Sequence, residues 1–349
     1  MSIRLSVRAV DVGYGHIKFA DGRDEQNSIR CDSFPSQSPA GRAGALGGGV
    51  MQSRDTFLVH VNGKCFEVGK AVALAGQSSR ESELLDQEFP LSDAYAARLY
   101  GALSYMAPGL KNNKIDFLVL GLPLNTFERH AAAVMTRYTG EHPISSRGTS
   151  ITIGECLVYP QPLGAYMAFS LEHKKKISAK YQPMALVVDP GYNTVDWFLC
   201  KGMAATEERC GAVVRGVSSI LRAVADAIIR STKADATPTE IVRRLDESFC
   251  TGVPFTMYGK DVDLAKYVPA GAAVIDEAVN AIKNSVGSGS DIDVIVVAGG
   301  GANLYANAIR AKFPRHEVVA LGNPAFANVR GFQIIGERMA QSASRATAG

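Results

Sequence analysis

An eight-residue pattern near the start of the chain returns near its middle, and this repeat constrains the fold more than any other feature. Residues 11–18 read Asp-Val-Gly-Tyr-Gly-His-Ile-Lys, and residues 189–196 read Asp-Pro-Gly-Tyr-Asn-Thr-Val-Asp. Each copy follows an apolar run that predicts a buried strand, and each leads into a second predicted strand. The repeat therefore predicts two halves of similar design, each containing a strand, a glycine turn and a returning strand.

The first copy has the residue types of a phosphate site. Gly13 and Gly15 can adopt positive φ, so that successive N–H groups of the turn, including that of Tyr14, point at one anion. Lys18 lies on the returning strand, within reach of a phosphate. Asp11 beside such a turn indicates a cation between carboxylate and phosphate, for which Mg²⁺ is the natural choice. The alternative is an ordinary hairpin in which the aspartate caps the turn.

The second copy favours the phosphate interpretation over the plain hairpin. Two such turns would clamp a polyphosphate, with Asp11 and Asp189 sharing one hydrated Mg²⁺. Asp196, at the end of the second copy, would hold a metal-bound or attacking water. A nucleoside triphosphate with Mg²⁺, bound in a cleft between the two halves, is therefore the expected ligand.

Two further segments fit a nucleotide site. Residues Gly299, Gly300 and Gly301 follow a predicted buried strand and open a helix, which permits close backbone approach to a ligand. Gln161 stands at a predicted helix start and could orient a water for attack on a γ-phosphate, although a glutamine there is also a common capping residue. The G-x-x-x-x-G-K-[ST] motif of a P-loop does not occur in the sequence.

Composition narrows the class of protein. The chain has 349 residues, a length for two domains, and a formal net charge of +3, too small to predict nucleic-acid binding. No apolar run reaches the ~18 residues of a membrane span. Six scattered cysteines without a C-x-x-C pair indicate reduced thiols in a cytoplasm and neither zinc nor disulfides. We therefore expect a cytoplasmic protein without membrane contact.

The remaining periodicity predicts an α/β fold with mixed sheets. Strands are expected over residues 5–12, 16–20, 56–61, 64–68, 116–120, 183–188, 194–200, 293–298 and 317–321. Helices are expected over residues 93–106, 125–138, 161–174, 213–230, 264–286 and 325–339, with a further helix capped by Thr237. Residues 35–49, rich in Ser, Gly, Pro and Ala, predict a mobile loop, and Asp93 is the expected cap of the first helix.

Five segments in order resemble the actin-like ATPase superfamily, whose fold is ribonuclease H-like. They are the two aspartate–glycine turns, residues 161–165, residues 298–302 and residues 323–331 (Asn-Pro-Ala-Phe-Ala-Asn-Val-Arg-Gly). In that order they are similar to the phosphate-1, phosphate-2, connect-1, adenosine and connect-2 segments of the superfamily. Within the superfamily, residues 34–36, 68–71 and 327–331 look most like the ParM/StbA plasmid-segregation group, which includes protein D of plasmid-borne PRTRC systems.

The resemblance implies two lobes, residues 1–160 with 331–349 and residues 161–330, with a tip subdomain near residues 35–92. It implies that Asp11 and Asp189 hold Mg²⁺ through water and that both turns line the phosphates of ATP or GTP. The phosphate-lining residues would be Gly13, Tyr14, Gly15, Lys18, Gly191, Tyr192, Asn193 and Thr194. Gly299, Gly300 and Gly301 would lie near the nucleoside, and Gln161, with Asp11, Asp189 and Asp196, would serve catalysis.

The resemblance further implies a filament-forming ATPase that segregates plasmid DNA through a DNA-binding adaptor, without touching DNA itself. Glutamine at position 161, where ParM-like proteins often carry glutamate, can position water but not act as a carboxylate base. Two alternatives stay open at this point: a nucleotide-binding scaffold of the superfamily, and a small-molecule kinase of the same fold. A kinase would need an aspartate base in the first lobe, for which the sequence offers no clear candidate.

Overall fold

The chain divides into two compact units. A computed structural model describes residues 5–41, 54–74, 88–145, 148–173, 177 and 181–346, apart from the side chains of residues 250 and 251. Unit 1 comprises residues 1–182 and 321–349, and unit 2 comprises residues 183–320. Unit 2 is therefore one continuous insertion into unit 1. These divisions differ from the lobe boundaries expected at 160/161 and 330/331, since residues 161–182 and 321–330 lie with unit 1.

In its described part, unit 1 has a mixed sheet and three α-helices before the insertion. Its strands are β1 Val7–Val12, β2 His16–Arg23, β3 Ile29–Pro35, β4 Phe57–Val61, β5 Lys64–Val68, β6 Lys114–Leu122, β7 Gly140–Pro143 and β8 Ser150–Pro160. Its helices are α1 Asp93–Met106, α2 Leu124–Tyr138 and α3 Gln161–Glu172. Six of the strands form one sheet in the order β3-β2-β1-β6-β8-β7, while β4 and β5 form a separate hairpin.

Unit 2 repeats this plan. Its strands are β9 Met184–Pro190, β10 Val195–Lys201, β11 Ala204–Ala205, β12 Gly211–Val213, β13 Thr256–Met257, β14 Lys260–Asp261, β15 Val294–Val297 and β16 Val318–Ala320. Its helices are α4 Val217–Thr232, α5 Pro238–Thr251, α6 Ala272–Val286 and α7 Ala302–Lys312. The main sheet runs β11-β10-β9-β15-β16, with β12 also paired to β10. The chain then returns to unit 1 in helix α8, Ala327–Ala346.

The two sheets share their central topology. In unit 1, β1 pairs antiparallel with β2 and parallel with β6. In unit 2, β9 pairs antiparallel with β10 and parallel with β15. The central strands β1, β9 and β15 are covered on both faces, and this burial explains the apolar runs of β9 and β15, whereas β1 also carries the buried charged residues Arg8 and Asp11. The predicted α/β class and the predicted internal repeat are confirmed.

Two glycines let helices α3 and α8 of unit 1 cross in backbone contact. A Cβ atom on Gly331 would overlap the carbonyl oxygen of Gly164, and one on Gly164 would overlap the carbonyl oxygen of Asn328. A Cβ atom on Gly336, farther along α8, would lie 2.5 Å from Val7 Cγ1. Helix α8 thereby covers β1 and closes the core of unit 1, with α3 held against it.

Two local predictions are confirmed in detail. Asn62 and Gly63, with φ of 48° and 76°, form the turn of the β4–β5 hairpin. Thr237 caps α5, since its hydroxyl accepts from the Glu240 N–H and the Glu240 carboxylate accepts from the Thr237 N–H. Both signals are local in sequence, which is why they could be recognised without knowledge of the fold.

Two local predictions are wrong. The cap of α1 is Ser92, whose Oγ accepts from the Tyr95 N–H, and Asp93 is the first helical residue. The helix expected from residue 213 begins at Val217, because Val213 belongs to strand β12. The segment 264–286 is mostly helical, as predicted, with two 3₁₀ turns before α6.

The loop expected over residues 35–49 is anchored in its first part. Ser36, Gln37 and Ser38 are buried, and the Gly41 N–H donates to the Cys65 carbonyl at 2.9 Å. Residues 42–49 lie outside the described residues. The small polar residues 36–38 are therefore packing positions beneath the β4–β5 hairpin and not a mobile segment.

Within the described ranges, no helix combines the length and apolar character needed to cross a bilayer. The five cysteines with described side chains (Cys31, Cys65, Cys156, Cys200 and Cys210) are free thiols. Burial raises the pKa of Cys31 to about 11 and that of Cys156 to about 12, so these thiols stay protonated and unreactive at neutral pH.

Candidate functional site

The first aspartate turn, residues 11–18, places a carboxylate and an ammonium side by side in unit 1. Asp11 is the penultimate residue of β1 and is 3% exposed, and its direct partner across the antiparallel pair is Lys18 on β2. Directly opposed residues of an antiparallel pair project from the same face of the sheet. Asp11 and Lys18 therefore project from the same face of the sheet.

Gln161 contacts the same carboxylate. It is the first residue of α3, and its Nε2 donates a hydrogen bond of 2.6 Å to Asp11 Oδ1. Because Nε2 is committed to Asp11, the amide oxygen Oε1 is the atom left to accept a hydrogen bond from a water. The structure thus joins two residues 150 positions apart in sequence into one cluster.

Burial dominates the electrostatics of Asp11. It raises the pKa of the carboxyl above its usual value, and the lowering by the Lys18 charge and by the Gln161 hydrogen bond does not cancel the effect. A bound cation would stabilise the charged form of this carboxylate. The electrostatic environment therefore suits a residue that faces a metal ion.

The turn residues Gly13 and Tyr14 act differently from the expectation. Gly13 does not adopt positive φ; its importance is steric, because a Cβ atom would lie 2.9 Å from the His16 carbonyl oxygen. The Tyr14 ring stacks on Phe89, with centroids 5.1 Å apart, and packs against the core. The Tyr14 side chain therefore takes part in packing.

A serine that the sequence reasoning missed also adjoins this turn. The Ser36 N–H donates to the Gly15 carbonyl oxygen at 2.9 Å, and the residue is fully buried. Its hydroxyl makes no hydrogen bond within the described part of the chain. A buried hydroxyl without a partner is uncommon and is expected beside a ligand or an ordered water.

The second aspartate turn, residues 189–196, repeats the register of the first in unit 2. Asp189 on β9 is 5% exposed and lies opposite Asp196 on β10, as Asp11 lies opposite Lys18. The Thr194 hydroxyl donates to Asp196 Oδ2 at 2.6 Å, and this bond orients the Asp196 carboxylate. The hydroxyl proton of Thr194 is therefore already donated to Asp196.

The backbone of this turn is fixed by the start of α4. The carbonyl oxygens of Asn193, Gly191 and Tyr192 accept from the N–H groups of residues 216, 217 and 218, at 2.9, 3.1 and 2.8 Å. In a trans peptide the N–H of the next residue points opposite to the carbonyl, and no described peptide bond is cis. The N–H groups of Tyr192, Asn193 and Thr194 hence all point away from α4, an arrangement that can bind an anion.

Gly216 makes this arrangement possible, and its role was not predicted from the sequence. A Cβ atom there would lie 2.6 Å from both the Tyr192 oxygen and the Asn193 carbonyl carbon. The only sequence signal for this role is a glycine directly before an amphipathic helix. Nothing in the sequence relates that glycine to a turn more than twenty residues earlier.

The glycine run at the end of β15 lies against the second turn. The Gly301 N–H donates to the Pro190 carbonyl at 2.8 Å, and Gly301 is the residue before α7. Gly299 has φ of 78°, and a Cβ atom on it would overlap Asp189 Oδ1. Gly300 is exposed, with no atom within 4 Å of its Cβ position. The run therefore leaves room for the Asp189 carboxylate.

We expect Gly299→Ala to perturb unit 2 strongly and Gly300→Ala to leave it nearly unchanged. Alanine at position 299 must adopt positive φ and displace the Asp189 carboxylate, at a cost of ~2 kcal/mol, or about 4–8 °C in melting temperature. Thermal denaturation of both variants without nucleotide measures the difference. Equal melting temperatures would contradict the close contact between Gly299 and Asp189.

The predicted site residues thus form two clusters, each described within its own unit. Unit 1 holds Asp11, Gly13, Tyr14, Gly15, Lys18 and Gln161, and unit 2 holds Asp189, Gly191, Tyr192, Asn193, Thr194, Asp196, Gly299, Gly300 and Gly301. The described ranges contain no group of three or more His, Cys, Asp or Glu side chains arranged for a metal. Mg²⁺ keeps most of its waters and uses one or two carboxylates, so it does not require such a group.

The repeated sheet topology and the two aspartate turns define an actin-like fold, and comparison with known families gives the same class. Residues 9–164 match the model of the actin like proteins N terminal domain. Residues 187–311 match the model of the archaeal actin homologue MreB-like C-terminal domain. The chain therefore has an actin-like fold, and each of its two halves is similar to a domain of actin-like proteins.

Solved structures agree with this assignment. A 15-stranded ParM filament from Clostridium botulinum has a TM-score of 0.74 at 20% identity, over 96% of this chain and all of that one. The archaeal actin homologue Ta0583 in complex with ADP gives 0.72 at 19% identity, with the same coverage. The apo pSK41 ParM protein gives 0.66 at 18% identity, over 98% of this chain and 99% of that one. No curated protein sequence matches this chain.

Proposed function

We propose that this chain is a filament-forming actin-like ATPase of the ParM/StbA plasmid-segregation group, related to protein D of PRTRC systems. The observation that carries the proposal is the repeated aspartate turn. Each copy places a buried carboxylate at the end of a central strand, and the second aims three backbone N–H groups in one direction. A carboxylate beside a backbone anion site is what a magnesium nucleotide requires.

In this proposal Asp11 and Asp189 hold Mg²⁺ through water. When bound, the ion neutralises negative charge on the phosphates of the nucleotide. ATP or GTP phosphates contact Lys18 and the backbone of Gly13, Tyr14, Gly15, Gly191, Tyr192, Asn193 and Thr194. Residues 299–301 lie near the nucleoside. The buried hydroxyl of Ser36 is a further donor beside the first turn.

Gln161 positions the attacking water. Its Nε2 is held by Asp11, so that Oε1 accepts a hydrogen bond from the water and directs the water's lone pair to the γ-phosphate. Asp196, oriented by Thr194, holds a second water. Because an amide cannot remove a proton as a carboxylate does, we expect slow hydrolysis, consistent with a nucleotide-timed assembly.

The assembly part of the proposal is supported by the solved relatives. One is a ParM filament, and others are an Alp12 filament and an AlfA filament bound to AMPPNP. We propose that copies of this chain assemble into a filament in the cytoplasm and that hydrolysis weakens it. We further propose a DNA-binding adaptor that connects the filament to plasmid DNA, without direct nucleic-acid or membrane contact by this chain. The proposal keeps the lobe boundaries that the resemblance implies, residues 1–160 with 331–349 and residues 161–330 with a tip near 35–92, whereas the compact units divide at 182/183 and 320/321.

Sedimentation and phosphate release together test this function. With ATP and Mg²⁺ we expect the protein to pellet and to form filaments in electron micrographs, but to stay in the supernatant with EDTA. Phosphate release should fall about 10²-fold in Asp189→Ala, the loss expected when a charge-stabilising group is removed. Absence of nucleotide-dependent sedimentation across a wide concentration range would contradict the filament.

The two alternatives give different results in the same assays. A nucleotide-binding scaffold would bind ATP, but phosphate release by the wild type would not exceed background. This outcome is relevant because Gln161 cannot act as a carboxylate base. A small-molecule kinase would transfer the phosphate to one member of a panel of sugars and short acids. Neither alternative requires sedimentation with ATP.

A further inference from the structure

A groove of about 770 Å³ lies in unit 1, lined by the start of β1, the β2–β3 connection and the last turns of α8. None of the residues assigned to nucleotide binding lines it. Five basic and two acidic side chains face it: Arg8, Arg23, Arg30, Lys111, Arg345, Asp21 and Glu337. The lining therefore carries a formal excess of three positive charges, although the whole chain is nearly neutral.

Part of this charge is fixed in place. Arg8 is 8% exposed; its Nε donates to Asp21 Oδ1 at 2.7 Å and its Nη1 to the Val7 carbonyl at 2.9 Å. Its remaining nitrogen, Nη2, makes no hydrogen bond with a described residue. Gly22, with φ of 70° in the irregular stretch of the β2–β3 pair, lies against this guanidinium. The backbone irregularity thus helps hold the Arg8 guanidinium at the groove.

A second pair is equally ordered. The Arg23 guanidinium donates through Nε and Nη2 to the Glu337 carboxylate at 2.8–3.1 Å, and Gln333 Nε2 donates to the same carboxylate at 3.1 Å. These bonds tie α8 to β2 and keep one carboxylate between the cations. The groove is therefore preorganised, with alternating signs along its lining.

Arg30 pairs with Asp21 Oδ2 at 3.0 Å, and the two remaining cations have no ion-pair partner among the described residues. Lys111 and Arg345 are exposed and form no ion pair with any described side chain. Exposed, unpaired cations on either side of an ordered ion-pair network are available to a ligand with carboxylates or phosphates. The two lining carboxylates favour a ligand with carboxylates over one with phosphates. They repel a continuous row of phosphates, but they accept hydrogen bonds from the backbone N–H groups of a peptide.

We propose that this groove binds an acidic peptide segment of a partner protein. Side-chain carboxylates of the segment pair with Lys111, Arg345 and Arg8 Nη2, while its backbone N–H groups face Asp21 and Glu337. The volume is in the range of pockets that hold a compact ligand or a few peptide residues. This partner site is separate from nucleotide binding and would exist even if the chain did not hydrolyse ATP.

The test uses the full chain saturated with ADP and Mg²⁺ and a fluorescein-labelled octapeptide of alternating Glu and Ser. Fluorescence anisotropy should show saturable binding that weakens as salt is raised, and no binding of the matching Lys/Ser peptide. The double variant Lys111→Ala/Arg345→Ala should bind the acidic peptide about tenfold more weakly, the loss expected for two rim charges. The matched control, Lys201→Ala/Lys266→Ala, removes two exposed cations of unit 2 and should change binding less than about twofold.

Equal binding by the groove and control variants would overturn the proposal, as would no binding at low salt. Competition by inorganic phosphate or by a DNA oligonucleotide at concentrations equal to the peptide would reassign the groove to a phosphate ligand and likewise overturn it. Melting temperatures of all variants, measured alongside, separate loss of binding from loss of folding. ATP turnover of the groove variant should equal that of wild type. The peptide-binding result and the ATPase result can therefore fail separately.

Discussion

Gly331→Ala is expected to lower the melting temperature of unit 1 by about 6–12 °C, the largest effect predicted for a single methyl group in this protein. The added Cβ would overlap the Gly164 carbonyl oxygen where α3 and α8 cross. Both partners are backbone atoms within helices, so no side chain can rotate away. Separating the helices costs ~3 kcal/mol or more, at the upper end of overpacking effects.

Gly322→Ala is the matched control for this effect. Gly322 also belongs to the returning segment of unit 1, but its Cβ position has no atom within 4 Å. We expect a change of less than about 0.5 kcal/mol, typical of surface substitutions. Thermal denaturation followed by circular dichroism compares the two. A small effect at both positions would show that the helices can separate without loss of packing.

Asp11→Asn is expected to stabilise the nucleotide-free protein and to abolish its response to magnesium nucleotide. Burial raises the pKa of this carboxyl, so the folded state binds the proton more tightly than the unfolded chain does. Stability therefore decreases as the pH rises from the unfolded pKa through the folded one. Asparagine removes this cost while still accepting the Gln161 hydrogen bond. We expect a gain of at least about 2 °C near pH 7.5 that disappears as the pH approaches 4.

The same variant should lose the thermal shift that ATP with Mg²⁺ gives to wild type, since it lacks a carboxylate for the ion. Melting curves with EDTA and with ATP and Mg²⁺, from pH 4 to 8, measure both effects. Asp276→Asn, on the exposed face of α6, is the control for removal of a negative charge and should change neither quantity. A lower melting temperature than wild type at every pH would contradict the electrostatic argument.

The parts of the fold that the sequence predicts are those specified by neighbouring residues. The two aspartate turns, the Asn62-Gly63 hairpin and the Thr237 capping box each depend on a few consecutive side chains. Strand β9 was equally recognisable because burial on both faces favours an apolar run, and β1 was recognisable from its alternation of apolar and other residues. From these elements the class of fold and the internal repeat followed.

Other parts of the fold could not be predicted from neighbouring residues alone. Val213 joins strand β12 and not the following helix because β10 offers it a pairing partner, which helical periodicity does not reveal. The small, polar residues 36–38 resemble a loop, yet they are buried against elements distant in sequence. In both cases tertiary contacts override the local pattern.

Some features of the candidate site could likewise be predicted from the sequence, and others could not. Asp11, Lys18 and Asp189 could be predicted from their motifs, whereas the hydrogen bond from Gln161 to Asp11 joins residues that only the folded sheet brings together. The steric roles of Gly216, Gly299 and Gly331 depend on backbones that approach from elsewhere in the fold. A glycine required for such an approach looks in the sequence like any other glycine.

The insertion of unit 2 into unit 1 sets an order of events during synthesis. The first part of unit 1 is complete at residue 182, but α8, which covers β1, is made only after residues 183–320. At the usual rates of translation this interval lasts roughly 7–30 s. During that time the nascent chain exposes the apolar surface around Val7 and Val119 that Gly336 later contacts. Unit 2 can finish folding first, so this apolar surface of the earlier half stays uncovered until α8 is made.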